Sequence, residues 1–89
     1  MPASDPMAFA NTVGQELWQR LAQRGQAELS DLTNVARFTA LLSAALIPVA
    51  EVLRGPIEVS RDRAAMVEKL LPIAERQVRE LLRDSIGGA

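Results

Sequence analysis

Phe38–Ala50 reads FTALLSAALIPVA, thirteen consecutive residues with no charge between Arg37 and Glu51. On a helix this run is apolar or small nearly all the way round. A surface helix of a globular protein normally keeps one polar face for water. This stretch therefore has to be covered on more than one side. The rest of the chain supplies little to cover it with, so the core is expected to be completed by a second molecule.

Outward from this run the apolar spacing is helical, with no sustained strand-like alternation. Upstream, Asp5 is a good N-cap and Pro6 suits the first helical position, where its missing N–H costs nothing. Met7, Ala10, Val13, Leu17, Trp18 and Leu21 follow at helical intervals, and Gly25 offers a C-terminal stop. A first helix is predicted over 6–24. Ser30 caps the second, with Asp31 in its first turn, where a negative charge suits the helix dipole. That helix is predicted over 31–54, with a core line of Val35, Phe38, Leu42, Ala45, Val49 and Val52, and ends at Gly55-Pro56. Ser60 caps a third, predicted over 61–85, with a core line of Ala64, Val67, Leu71, Ala74, Val78 and Leu81.

Leu46–Glu51 (LIPVAE) echoes Leu70–Glu75 (LLPIAE), 24 residues on, with four of six positions identical. Pro48 and Pro72 each remove a backbone bond and crowd the carbonyl four residues back, on Ala44 and Glu68. The apolar spacing stays in phase across both, so each helix is expected to bend there and not to break.

The third helix gathers Val67, Leu70, Leu71, Ala74, Val78, Leu81 and Leu82 on one arc, opposite a face of mixed charges. The second has no comparable wet face, and small Ala40 and Ala44 would let another backbone approach closely. The fold class expected is all-α: a three-helix antiparallel bundle with proline-kinked second and third helices, dimerised, in a single domain over 1–89 with 1–5 and 86–89 frayed. Two-fold association is the commonest oligomer symmetry. The interface is expected at Phe38, Ala40, Leu41, Ala44 and Ile47, with Trp18 at its edge.

Composition narrows the chemistry. Ten basic and eleven acidic residues give a net charge of −1, without the basic excess of a nucleic-acid binder. Cysteine, histidine and tyrosine are absent. Thiolate chemistry is ruled out, and so are the commonest general base and the commonest metal ligand. Ser30, Ser43, Ser60 and Ser85 lack a histidine partner for nucleophilic work. The carboxylates Asp62, Glu68, Glu75 and Glu80 share their face with arginines and read as solvated ion pairs. No phosphate-binding glycine loop is present. Leu29–Leu42 could be read as a turn entering a DNA-reading helix. It would then present Phe38, Leu41 and Leu42 where polar base-reading side chains belong.

No catalytic, cofactor-binding or metal-ligating residue is therefore expected, and no cofactor. MPASDPMAFANT has neither the basic nor the long apolar region of a signal peptide, and the uncharged run is shorter than the roughly 20 residues that span a bilayer. A cytoplasmic protein without integral membrane association is expected. Its partners are a second copy of itself and another protein, and not nucleic acid. The function that follows is a non-catalytic protein–protein interaction module: a homodimerising docking, scaffolding or accessory subunit. Binding of an apolar ligand or lipid surface, and regulation of nucleic-acid machinery through protein contacts, are the alternatives.

Overall fold

The computed structural model describes residues 5–87. It is all-α, with α1 at Pro6–Glu28, α2 at Asn34–Glu58 and α3 at Arg63–Ile86, and no strand among the described residues. Residues 1–4 and 88–89, where fraying is expected, lie outside the described residues. Asp5 and Ile86, also placed in the frayed ends by sequence, are respectively the cap of α1 and the last residue of α3.

The start of α1 follows its local signals. The Asp5 carboxylate accepts from the Met7 and Ala8 amides at 3.0 and 3.3 Å, and Pro6 opens the helix. Its end does not. Gly25 fails to stop the helix, which continues to Glu28, and the Leu29 amide donates back to the Gly25 carbonyl at 2.9 Å. The only positive-φ glycine among the described residues is Gly87, so Gly25 stays helical. Arg24 and Glu28, paired at 2.6 Å, straddle it.

The second helix begins three residues later than its spacing suggests. Ser30 and Asp31 lie in the turn, and Thr33 is the cap, its hydroxyl accepting from the Ala36 amide at 3.2 Å. Gly55-Pro56 does not end it either; α2 runs on to Glu58. A proline drives its predecessor from the helical region by clashing with that residue's β-carbon and N–H. Gly55 has no β-carbon, so half of that clash is missing. Arg54 pairs with Glu51 and Glu58 at 3.5 and 2.6 Å, bracketing the Gly-Pro step. Pro48 also lies within α2, and Pro72 within α3.

Asp62, not Ser60, caps α3, accepting from the Ala65 amide at 3.0 Å. Ser60 sits two residues back, its hydroxyl bonded to the backbone of Asp62. Gly87 closes the helix in the left-handed region, φ 79°, donating to the Arg83 carbonyl at 3.1 Å.

The chain divides into two compact units, Met1–Pro48 and Val49–Ala89. In the first, burial centres on the α1–α2 turn. Gly25 is buried, and Leu21, Ala22, Leu29, Arg37, Ala40 and Leu41 are half-buried. In the second it centres on the α2–α3 turn, where Leu53, Ile57, Ser60, Met66, Val67, Leu70 and Ala74 are half-buried. No apolar side chain among the described residues is fully buried. The line Val35, Phe38, Leu42, Ala45, Val49, Val52, which the spacing assigns to a core, is exposed in the single chain. Its physical reason is that the side of α2 facing α1 is the small-residue side.

Candidate interaction surface

The first unit is built on one close approach. A β-carbon added to Gly25 would lie 2.8 Å from Leu41 Cδ2, closer than real contacts allow. Glycine here makes room for a leucine from the facing helix. Arg37, one turn before Leu41, ties the same corner. Its guanidinium donates to the carbonyls of Leu29, Ser30 and Leu32 at 3.3, 3.0 and 3.5 Å. These are the carbonyls of the C-cap residue Leu29 and of two residues in the turn that follows α1. The one charge in the first half of α2 is used inside the unit.

At 3.6 residues per turn, Arg37, Ala40, Leu41 and Ala44 share one side of α2. Val35, Phe38, Leu42 and Leu46 form a second stripe centred about 150° away, with Phe38 about 60° round the helix from Leu41. The first side turns to α1 through the Leu41–Gly25 contact. The second remains exposed: 76% for Val35, 64% for Phe38, 45% for Leu42 and 50% for Leu46. Val49, 43% exposed, is the next residue on that same face of α2.

These positions locate the expected interface residues. Ala40 and Leu41 are half-buried at the α1 contact, Ala44 is exposed on the same side, and Phe38 is exposed about 60° round the helix from Leu41. Ile47, seven residues after Ala40 and on its side of the helix, is exposed. Trp18 lies two turns before Gly25 on the same face of α1 and is still 57% exposed, so the cover provided by α2 fades away from the turn. Sequence reasoning missed Val35 and Leu42 as surface residues because their spacing is that of a core line, and it assigned Leu46 to neither the core line nor the interface. Nothing in the sequence distinguishes a line covered by its own chain from one left open. With Phe9 also exposed, all three aromatic residues of the chain are open to solvent.

Apolar side chains are exposed elsewhere too, among them Leu71, Val78, Leu81 and Leu82 of α3, beside ionic pairs. Arg79 donates to Glu75 at 2.8 Å beside a shallow hollow of about 250 Å³ lined by Pro72, Glu75, Arg76 and Arg79. Hydrogen bonding to Arg24, and then its charge, hold the Glu28 carboxylate below its ordinary pKa, and Arg24 is raised in turn. Among the described residues no cluster of three carboxylates, histidines or cysteines could hold a metal ion.

The helix containing the uncharged run is longer than the run itself. Across its 25 residues α2 is long and apolar enough to cross a membrane by length and composition, with a mean hydropathy of 1.6 over its best 18-residue window. The shortness of Phe38–Ala50 therefore does not by itself exclude a span. Compared with protein families, curated proteins and solved structures, the chain matches none.

Proposed function

We propose that the chain is a non-catalytic helical interaction module, a homodimerising docking, scaffolding or accessory subunit. The observation that carries this reading is the exposed apolar face of α2, Val35, Phe38, Leu42 and Leu46, lying opposite the side that α1 occupies. Large apolar patches on a soluble chain mark association sites. Exposed aromatics of the kind that anchor interfaces, Phe38 and Trp18, stand on the same unit. In the assembled protein the three helices form an antiparallel bundle, bent at Pro48 and Pro72, with a second copy completing the core. The mixed charges of α3 form a rim that selects partners by electrostatic complementarity.

Light scattering across a dilution series tests this reading. It expects twice the chain mass at micromolar concentration, falling on dilution, and a melting temperature that rises with concentration. A single-chain mass at every concentration overturns it.

The length and apolarity of α2 favour one second reading, docking on a lipid surface. Trp18, the only tryptophan, reports on this directly. A blue shift of its emission with neutral and anionic vesicles, together with co-sedimentation, supports the lipid reading; no change with either rejects it.

A further inference from the structure

Resting on the docking reading above, though not on the dimer, we propose that the polar face of α3 takes a helical segment of a partner protein with acidic side chains every seventh residue. Four of the chain's ten basic residues, Lys69, Arg76, Arg79 and Arg83, lie on this face. The net charge of −1 conceals the concentration. At 3.6 residues per turn, Lys69, Arg76 and Arg83 fall within about 40° of one another, about 10 Å apart along the axis. All three are exposed, and none makes an ion pair among the described residues. Arg24, Arg54 and Arg79, by contrast, each hold a carboxylate. Even Glu80, one turn beyond Arg76, does not pair with it.

The width of this basic line says what it fits. Glu68 and Glu75 border it about 80–100° round from Arg76 on one side, and Glu80 and Asp84 about 40–80° round on the other. A broad anionic surface, such as a duplex or an anionic bilayer, would press against these carboxylates, and like charges brought together are costly. A single row of carboxylates meets the cations alone. A helix presents such a row when its acidic residues recur every seven, at the same spacing of about 10 Å. The middle of the line is also concave. Pro72 carries no long side chain, and Pro72, Glu75, Arg76 and Arg79 line a shallow hollow of about 250 Å³. Two guanidiniums and one carboxylate leave that hollow one positive charge. One further carboxylate neutralises it, whereas a phosphate group, close to −2, overshoots. Single exposed ion pairs contribute little, so recognition here depends on several pairs in register.

The probe is a labelled alanine-based helical peptide with glutamates seven residues apart. A second peptide of the same composition has its glutamates spread round the helix. Fluorescence anisotropy with the full chain reads binding at about 0.01 M ionic strength, where charges act over about 30 Å, and again at about 0.15 M, where they act over about 8 Å. The first peptide should bind more tightly than the second, and more weakly at the higher salt. Arg76→Gln and Arg83→Gln should each weaken it about threefold to fivefold, the most that one exposed pair supplies. Arg63→Gln makes the same charge change on α3, about 140° round from Arg76, and should leave binding unchanged. Circular dichroism confirms that all three variants stay helical. Equal binding of the two peptides, no binding of either, or an equal loss from Arg63→Gln overturns the proposal. So does tighter binding of a single-stranded oligonucleotide, or of anionic vesicles, at matched charge. The mass by light scattering keeps the readings apart: failure of the peptide with a chain that still scatters as a dimer removes this surface alone, whereas a monomeric mass removes the dimer and leaves this surface standing.

Discussion

Leu41 Cδ2 occupies the space that a β-carbon on Gly25 would need, 2.8 Å from its ideal position. The contact decides where α1 ends and which side of α2 faces α1. It also separates this glycine from the others in the helices: an added β-carbon at Gly14 or Gly55 meets nothing within 4 Å. Replacing glycine by alanine inside a helix gains about 1 kcal/mol of intrinsic propensity. Gly14→Ala should therefore stabilise the chain by about that amount in urea unfolding followed by circular dichroism. At Gly25 the gain is set against forcing Leu41 to move, which costs about 1–3 kcal/mol in a packed contact. Gly25→Ala should show no gain, and Gly25→Val a clear loss.

Arg37 closes the corner from the other side. Hydrogen bonds to a charged donor contribute about 1.5–3 kcal/mol when well buried. This side chain is only half-buried, so Arg37→Ala should cost about 1–2 kcal/mol. Lysine has no planar fork with which to reach three carbonyls at once, so Arg37→Lys should recover little of the loss. Amide exchange at Leu29–Thr33 would show the corner loosening in both variants.

At the start of α3 two polar residues compete for one role, and the geometry gives it to Asp62. Asp62→Ala should cost about 1 kcal/mol, the usual value of an N-cap. Ser60→Ala, which removes only a bond to the backbone of Asp62, should cost less. Thermal melts of the two variants side by side decide the order, and equal losses would contradict it.

The Arg24–Glu28 pair makes a directional prediction about pH. Its hydrogen bond and charge lower the folded-state pKa of Glu28 below the ordinary carboxylate value. The stabilisation it contributes is fully present above that ordinary value and is lost as pH falls through the lowered one. In an NMR titration the Glu28 carboxyl should have its midpoint below the usual glutamate range, and Arg24→Gln should move that midpoint upward. A midpoint unmoved by Arg24→Gln would show that the pair does not form in solution.

A charge placed in the exposed stripe tests the proposed association without disturbing the corner. Phe38 does not take part in the Gly25 contact and is largely open to solvent. Phe38→Asp should leave helicity unchanged and shift the dimer–monomer equilibrium at least tenfold toward monomer, a change of about 1.4 kcal/mol or more. Sedimentation of the variant at matched concentration reads that shift.

Much of the secondary structure was legible because its causes are local. Asp5-Pro6 starts a helix through its own side chain and its own missing N–H, and Gly87 ends one by taking a backbone shape other residues avoid. The misread boundaries all involved residues with two possible uses. Gly25 could stop a helix or admit Leu41, and the choice depended on a residue sixteen positions away. Ser30 could cap α2, yet its carbonyl is held by Arg37 in the turn while Thr33 caps. The two-sided apolar character of α2 was visible in Phe38–Ala50, but not which side α1 would take.

By itself, then, the sequence determined that the chain is helical, that it has three helices, and that the middle one has more apolar circumference than a wet face permits. Periodicity, capping and composition are properties of neighbouring residues, and they are written in order along the chain. Only the tertiary structure decided that Ala40 and Leu41 meet α1 while Val35, Phe38, Leu42 and Leu46 stay open. That choice rests on shape: the missing β-carbon of Gly25 lets α2 approach closely on its small-residue side, and the bulkier stripe is left facing away.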